Sequence, residues 1–393
     1  MITLTEALHE ILNGVVPLET EREQLERALF RVLAEDIYSD SDMPPFDKAA
    51  VDGFACRRSD IGDTLQVIET IAAGQVPQKS VGQGECSRIM TGAILPKGAD
   101  LVLMLEHTLD CGPEKIRFSG GDSHTNFALK GEEVKKGDLI LSAGTHLLPQ
   151  HIAILASQGI TLPLVSKKPR VAIMSTGDEL VEPGVATRLG QIRNSNAYQL
   201  MAQTQQAHAT PVYHGIIADH LEATVVAIQE AVAKSDIILI SGGVSTGDFD
   251  LVPQALRSHN IEILFHKVAI KPGKPTVFAR AGTCSIFGLP GNPVSSFINF
   301  EIFVKPLISK LMGNLPHQQE FLIPMGVDFS RKKYDRLEFL PVSIDAQGAV
   351  QPVVYHGSAH IHAFCQATGI MSIPQGKQTI SKGELVHVRP ISS

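Results

Sequence analysis

Leu4, Ala7, Leu8, Ile11 and Leu12 repeat at helical spacing, and Thr3 with Glu6 has the spacing of a capping box, so the chain opens on an amphipathic helix. The same period continues over about Thr20 to Ala34 and predicts a second helix. Acids and prolines then break it at Asp40-Ser41-Asp42-Met43-Pro44-Pro45-Phe46-Asp47, which reads as a linker and a domain boundary. From Asp52 to about Phe118, short apolar runs alternate with turns such as Ala73-Gly74 and Pro96-Lys97-Gly98, the pattern of a small β-rich domain. Residues 131–148 have the same hairpin character, and Pro149 to Ser157 reads as a short helix.

At Lys167 the pattern changes. Val171–Met174, Val212–Ile217, Ile237–Ile240, Ile261–Phe265, Thr276–Ala279 and Cys284–Gly288 are apolar runs of strand length. Helical periods fill Asn194 to Ala207, Asp219 to Ala233, Leu251 to Ser258 and Val294 to Leu311. Such alternation predicts a mostly parallel sheet covered on both faces. After about Leu315 the helical period fades, and Val327, Phe339–Val342, Val350–Val354 and Leu385–Val388 predict strands of a small terminal β-domain. His360 and His362 read as alternating positions of a strand.

Composition narrows the class. A chain of 393 residues is too long for one core and predicts two to four domains. Its 44% hydrophobic and 19% charged residues are those of a soluble protein, and a net charge of −7 argues against a nucleic-acid-binding surface. No apolar run has the length of a membrane span, and the late apolar stretch from Ser296 to Ile308 carries Asn299, Glu301 and Lys305. Glu6, His9 and Glu10 interrupt the start of the chain, so a signal peptide is not predicted. Five cysteines, odd in number and never spaced C-x-x-C, read as reduced thiols of a cytoplasmic protein. The fifteen histidines have no metal-ligand spacing.

Three of the predicted strands run into glycine loops: Met174-Ser175-Thr176-Gly177-Asp178-Glu179, Ile240-Ser241-Gly242-Gly243, and Phe287-Gly288-Leu289-Pro290-Gly291-Asn292-Pro293. A glycine there can simply close a turn. Three such loops at the carboxyl edge of one parallel sheet instead suggest a ligand site, because unpaired backbone N–H groups favour anions. The second loop runs on to Asp248 and Asp250, and the first ends in Asp178 and Glu179, adjacent acids well placed for Mg²⁺ or a ligand hydroxyl. Lys267, Lys271 and Lys274 concentrate positive charge in one proline-bounded loop, either a solvated turn or a grip on phosphate or a tetrahedral oxyanion. Asp219 with Glu222, and Asp250 before Leu251, also have helix-capping positions. Asp52, in Val-Asp-Gly-Phe, is an ordinary turn residue by spacing. Walker A, G-x-G-x-x-G and G-x-S-x-G motifs are missing, which removes P-loop, dinucleotide and standard hydrolase readings.

Together these motifs closely resemble the molybdopterin molybdenumtransferase family, the MoeA proteins and the E domain of gephyrin. The resemblance rests on Met43-Pro44-Pro45-Phe46-Asp47, Ala50-Val51-Asp52-Gly53-Phe54-Ala55, Arg88-Ile89-Met90-Thr91-Gly92-Ala93 and Ser175-Thr176-Gly177-Asp178-Glu179-Leu180. It continues through Gly190-Gln191-Ile192-Arg193-Asn194-Ser195-Asn196, the Ser241 to Asp250 loop, Ile270 to Pro275 and Gly288 to Pro293. It implies a multidomain α/β plus β protein: an elongated discontinuous domain over 1–45 and 130–168, and an inserted β-rich domain over 46–129. A MoaB/MogA-like, molybdopterin-binding α/β domain over 169–314 and a small C-terminal β-barrel domain over 315–393 complete it. The implied form is a homodimer whose cleft lies between the α/β domain of one subunit and domains of its partner.

The implied activity takes adenylylated molybdopterin, molybdate and Mg²⁺, cleaves the phosphoanhydride, releases AMP and leaves molybdenum on the dithiolene. A molybdopterin adenylyltransferase is an implied partner. Carried across by motif, the family's functional positions fall on Asp52, Thr91, Glu179, Asp219, Asp250, Lys267, Lys271 and Ser358. Asp178, Glu179 and Asp250 are expected at the metal or pterin, and Lys271 and Lys274 at phosphate or molybdate. Ser175, Gly177, Ser241, Gly242, Gly243, Pro290, Gly291, Asn292 and Pro293 are expected to bind the pterin nucleotide. The insert would bring Asp52 and Thr91 to the cleft wall.

The chain departs from the family pattern at three positions. Ala128 replaces an arginine and Glu133 an aspartate in Asn126-Phe127-Ala128-Leu129-Lys130-Gly131-Glu132-Glu133, and Pro341 replaces the second arginine of Arg336-Leu337-Glu338-Phe339-Leu340-Pro341. Two lost guanidiniums remove bidentate oxyanion contacts, so nucleotide binding is expected to survive while molybdate insertion is weakened or altered. Ala128 and Pro341 favour a second reading, a divergent paralogue that binds molybdopterin or partner proteins without turnover. A third, molybdopterin adenylyltransferase, shares the α/β fold but not the four-domain length.

Overall fold

The computed structural model describes residues 1–120, 124–244, 250–314 and 320–391, so Asp248 lies outside the described residues. The chain divides into two compact units, one of Met1–Ala34, Gly144–Leu148 and Leu162–Ser393, the other of Glu35–Ala143 and Pro149–Thr161.

In the first unit, six strands form a sheet in the order Thr210–Ile217, Arg170–Thr176, Ile237–Ser241, Cys284–Leu289, Val277–Ala281 and Glu262–Phe265. The first four run parallel, Val277–Ala281 is antiparallel to Cys284–Leu289, and Glu262–Phe265 is antiparallel to Val277–Ala281. Because strand side chains alternate, Val171, Ile173, Ile237, Leu239 and Phe287 enter one core, with Ala7, Ile11, Leu200 and Ile298. Ala172, Met174, Ile238, Ile240 and Ile286 enter the core on the other face, with Ile228, Val252 and Leu256. Both faces are therefore covered. Each fully buried Ile, Leu or Phe here contributes about 1.5–3 kcal/mol relative to exposure. The last apolar run is a succession of helices, Pro293–Asn299, a π turn over Phe300–Val304, and Lys305–Leu311.

A second sheet in this unit runs Ile270–Lys271, Leu337–Ile344, Gly369–Ile373, Leu385–Pro390 and Phe321–Pro324, with Val350–Pro352 also paired to Leu337–Ile344. Ile270–Lys271 lies parallel to Leu337–Glu338 and puts Lys271 opposite Glu338. Pro341 follows that stretch, just before the segment that pairs with Val350–Pro352, and its carbonyl accepts from Val353 N–H. Its missing N–H falls in the gap between the two neighbouring segments, where a proline is tolerated. Val327, expected on a strand, lies in a bend.

The opening helix is Leu4–Leu12, with the Thr3–Glu6 capping box formed as expected. The second helix is not. Thr20–Arg22 is a strand paired with Leu164–Ser166, followed by a 3-10 turn at Leu25–Arg27. Phe30 has φ 63, which a helix cannot accommodate. Arg31 is buried, donating through Nε to Ser166 O and through its terminal nitrogens to Glu21 and Glu23. A helix would have turned that guanidinium away from all three. Asp219 is also not the expected cap: the Leu221–Val232 helix has His220 at its N-cap. His360 and His362 fall at a 3-10 turn, Ile361–Cys365, rather than on a strand.

The second unit carries a six-stranded sheet, Leu101–Met104, Gly53–Cys56, Glu85–Ile89, Thr64–Ile71, Lys115–Phe118 and Thr108–Asp110, around Phe54, Leu65, Leu101 and Leu103. The expected hairpin over 131–148 does not form, because Leu139–Leu141 pairs with distant Ile37–Tyr38. Pro149–Ser157 is the short helix anticipated. All five cysteines are unbridged, and burial pushes the Cys56, Cys86 and Cys284 thiols up to about 12. Among the described residues no helix is long and apolar enough to cross a membrane.

Candidate active site

The parallel strands Arg170–Thr176 and Ile237–Ser241 end side by side, with Ser175 opposite Ser241, and Cys284–Leu289 ends next to the latter with Leu289 opposite Ser241. Their loops therefore converge. They border a cavity of about 650 Å³ lined by Thr176, Gly177, Glu179, Asp219, Ser241 and the Pro290–Pro293 turn, among others.

Two asparagines fasten the loops together. Asn194 is buried, accepts at Oδ1 from Ser175 Oγ at 3.0 Å and from Ala197 N–H, and so caps the Ser195–Gln206 helix. Its Nδ2 donates to the Tyr213 hydroxyl, which in turn donates to Glu182. Burial first, then that carboxylate, raise the Tyr213 phenol above its ordinary range, so it stays protonated. Asn196 Nδ2 donates to both Ser241 Oγ and Gly291 O, each at 2.8 Å. One side chain thus ties the second loop to the third. Gly242 N–H donates to Leu289 O at 3.0 Å and adds a further link.

Gly242 and Gly243 form the turn that abuts Thr176. Their φ values are 100 and 65, and a Cβ on Gly242 would lie 2.5 Å from Thr176 O. Only glycine fits both demands.

A second cavity of about 540 Å³ adjoins the first. Pro275, Pro290 and Asn292 line both. The second is lined further by Lys271, Lys274, Arg336, Glu338, Tyr355 and Ser358. Lys271 Nζ lies 2.5 Å from Glu338 Oε1, and Arg331 Nη1 lies 3.0 Å from Glu338 Oε2. Lys271 is thus half-neutralised by a buried carboxylate, whereas Lys274 and Arg336 reach the cavity without a share in it. Burial, and then the charge of Glu338, push the Tyr355 phenol up to about 12, keeping it a hydrogen-bond donor. Ser358 O accepts from Val294 N–H at 3.0 Å, which anchors the Ser358 loop at the start of the Pro293–Asn299 helix. Pro341, one of the expected departures from the family pattern, lines this cavity.

Most of the residues expected from sequence lie at these two cavities. Gly177, Glu179, Asp219, Ser241, Gly242, Gly243, Gly291 and Pro293 line the larger, Lys271, Lys274 and Ser358 the smaller, and Pro290 and Asn292 both. Ser175 stands behind them, bonded to Asn194. Asp178 Oδ1 accepts from Asp219 N–H at 3.3 Å, which joins the two acid-bearing loops. Asp250 stands at the N-cap of the Leu251–Ser258 helix. Lys267 lines neither cavity; its carbonyl accepts from Ile2 N–H.

Asp52 and Thr91 belong to the second unit. There Asp52 Oδ1 accepts from Thr91 N–H at 2.6 Å and Thr91 Oγ1 at 2.8 Å. The Thr91 N–H, then its hydroxyl, hold the Asp52 carboxyl below its usual value. Ala128 pairs across strands with Lys48 in the same unit, and Glu133 is exposed. Among the described residues no three His, Cys, Asp or Glu side chains are grouped to hold a metal ion.

Asn194, Asn196 and Arg336 fall within motifs of the resemblance but were assigned no role, and Tyr213 and Tyr355 were passed over. Asn194 and Asn196 had a signal, since both precede or open a helix that starts at the sheet's carboxyl edge.

Comparison with known proteins decides what this arrangement belongs to. The molybdopterin molybdenumtransferase of Bacillus subtilis strain 168 is 36% identical over 405 residues, covering 98% of this chain and 93% of that protein. This chain belongs to the MoeA family. The MoeA N-terminal region (domain I and II) matches residues 2–159, a "Probable molybdopterin binding domain" residues 172–310, and the MoeA C-terminal region (domain IV) residues 324–391. The molybdopterin molybdenumtransferase of Staphylococcus aureus strain Mu50 is 35% identical over 397 residues, 98% of this chain and 95% of that one. A crystal structure of the molybdopterin biosynthesis moeA protein from Pyrococcus horikoshii OT3 superposes with a TM-score of 0.85 at 31% identity, over 99% of this chain and 100% of that chain. In MoeA terms, the larger cavity lies mainly within the molybdopterin-binding region, and the smaller adds residues of the C-terminal region.

Proposed function

We propose that this MoeA-family chain inserts molybdenum from molybdate into adenylylated molybdopterin and releases AMP. The observation that carries this reading is the pair of adjoining cavities with a shared wall of Pro275, Pro290 and Asn292. The larger suits a pterin nucleotide: its glycine turn offers backbone donors to phosphate. The smaller suits a tetrahedral oxyanion, with Lys274, Arg336, Ser358 and the Tyr355 phenol as donors. Lys271, paired with Glu338, sets the position of the loop as much as it adds charge. Molybdate in one cavity would then face the nucleotide in the other.

Glu179 and Asp219 both line the larger cavity, and Mg²⁺ commonly takes one or two carboxylates and completes its shell with substrate phosphates and water. Glu179 and Asp219 therefore fit that ion as the pair that would hold it, with Asp178 and Asp250 as further acids on the adjoining loops. Bound there, it would neutralise charge on the phosphoanhydride. The chain's own part is to fix the nucleotide through Ser241–Gly243, to hold the oxyanion at Lys274 and Arg336, and to keep both in reach. We place the protein as a cytoplasmic homodimer that receives its nucleotide from an adenylyltransferase, with Asp52 and Thr91 from one subunit completing the site of the other.

Whole-length relatives named as transferases weigh against the readings of cofactor binding without turnover and of adenylyltransferase. Purified protein supplied with adenylylated molybdopterin should release AMP only when molybdate and Mg²⁺ are both added, and Asp250→Ala should abolish that release. AMP release that ignores either addition, or none from the wild type, would overturn the proposal.

A further inference from the structure

Thr176 ends the Arg170–Thr176 strand, opposite Ile217, and lines the larger cavity. Only 4% of it is exposed, and its hydroxyl oxygen is buried without a hydrogen-bond partner among the described residues. Its neighbours at the same sheet edge are satisfied: Ser175 Oγ donates to Asn194, and Ser241 Oγ accepts from Asn196. Thr176 is thus the exception among the hydroxyls at these strand ends. A buried hydroxyl left unpaired is destabilising, and valine would fill the same space without that cost.

The surroundings of the hydroxyl indicate its use. It rests on the Gly242–Gly243 turn, where a Cβ on either glycine would come within 3.1 Å and 3.0 Å of Oγ1 respectively. The absence of those Cβ atoms leaves backbone and hydroxyl together at the cavity edge. No hydrogen bond among the described residues commits Oγ1 elsewhere, so it is free to meet a ligand in the cavity that Thr176 lines.

We propose that the Thr176 hydroxyl is a ligand-binding group, donating to a phosphate oxygen of the nucleotide seated on the Gly242–Gly243 turn. The inference rests on the reading of this cavity as a nucleotide-phosphate site. An oxygen acceptor on a charged phosphate would satisfy the hydroxyl, and a hydrogen bond of that kind strengthens binding about ten- to a hundredfold.

The test compares Thr176→Val, which keeps the shape and removes the hydroxyl, with Thr176→Ser, which keeps the hydroxyl. AMP is the probe, titrated calorimetrically into the full-length protein, with thermal unfolding measured in its absence. The expected result is a ten- to hundredfold loss of AMP affinity in Thr176→Val, an unchanged or higher melting temperature, and recovery to within about threefold of wild type in Thr176→Ser. Wild-type affinity in Thr176→Val would overturn the assignment, as would no AMP binding by the wild type. A melting temperature that falls together with affinity in Thr176→Val would make the hydroxyl structural and overturn it as well. A wild type that binds AMP through Thr176 but never releases it from adenylylated molybdopterin would sink the transferase reading and leave this one standing.

Discussion

Glu338 is the residue on which the smaller cavity turns. It is 3% exposed and faces two cations, Lys271 and the equally buried Arg331. Removing it leaves the Arg331 guanidinium with the Lys377, Arg336 and Pro374 carbonyls but no counter-charge, and the loss of a partner from a buried ion pair costs about 3–5 kcal/mol. Glu338→Ala is therefore expected to lower stability by about that much in chemical denaturation, whereas Lys274→Ala, with a more exposed cation, should leave stability nearly unchanged. His208 gives a second residue-scale test. Burial and then the nearby His146 hold its imidazole down to about 4, against an ordinary value of 6.5. The folded protein prefers neutral His208, so its contribution is full above about pH 6.5 and is lost as pH falls toward 4. His208→Asn keeps a side chain that tolerates φ 62 and should remove that acid-sensitive part, on the order of 1–2 kcal/mol after discounting for solvent screening. Neither pairing was legible in the sequence. Lys271 and Glu338 were each marked by a motif, but only the parallel register of Ile270–Lys271 on Leu337–Glu338 brings them together.

The strands were the most legible elements. Val171–Met174, Ile237–Ile240 and Cys284–Gly288 each fall within one or two residues of the observed strands, because a doubly covered sheet demands unbroken apolar runs. The stretch from Thr20 to Ala34 misled for a related reason. Leu25, Ala28, Leu29 and Val32 do repeat at helical spacing, but the left-handed Phe30 and the buried Arg31 turn the chain back onto Leu164–Ser166. Side-chain bonds to distant backbone outweigh local period there. The same holds for the site's frame, since Asn196 meets Ser241 and Gly291 only once the sheet has formed. Asn196→Ala leaves the buried Ser241 hydroxyl and the more exposed Gly291 carbonyl each short of a donor. A loss of about 1–3 kcal/mol and a raised KM for the nucleotide are expected, from calorimetric unfolding and steady-state AMP release respectively.

At the scale of the whole molecule, the family comparison reaches across the full chain, while the cavities draw only on the unit of Met1–Ala34, Gly144–Leu148 and Leu162–Ser393. Asp52 and Thr91 are hydrogen-bonded to each other in the other unit, and only the proposed homodimer would bring them into the proposed chemistry. Subunit mixing checks that point. Asp52→Ala and Asp250→Ala homodimers should both be inactive. Equal mixing after dissociation should restore about a quarter of wild-type AMP release, because half the dimers are mixed and each mixed dimer has one intact site. No recovery would mean that both residues serve one subunit's site. The domain-scale layout was readable from the change of period at Lys167 and again near Leu315, whereas the bonding of Asp52 to Thr91 rests on register between strands and had no local signal. The wall of Pro275, Pro290 and Asn292 has one further consequence. A partition touched from both sides cannot shift for one occupant without changing the space offered to the other. If it shifts, oxyanion and nucleotide become thermodynamically linked, and whatever factor the first confers on the affinity of the second, the second must confer on the first.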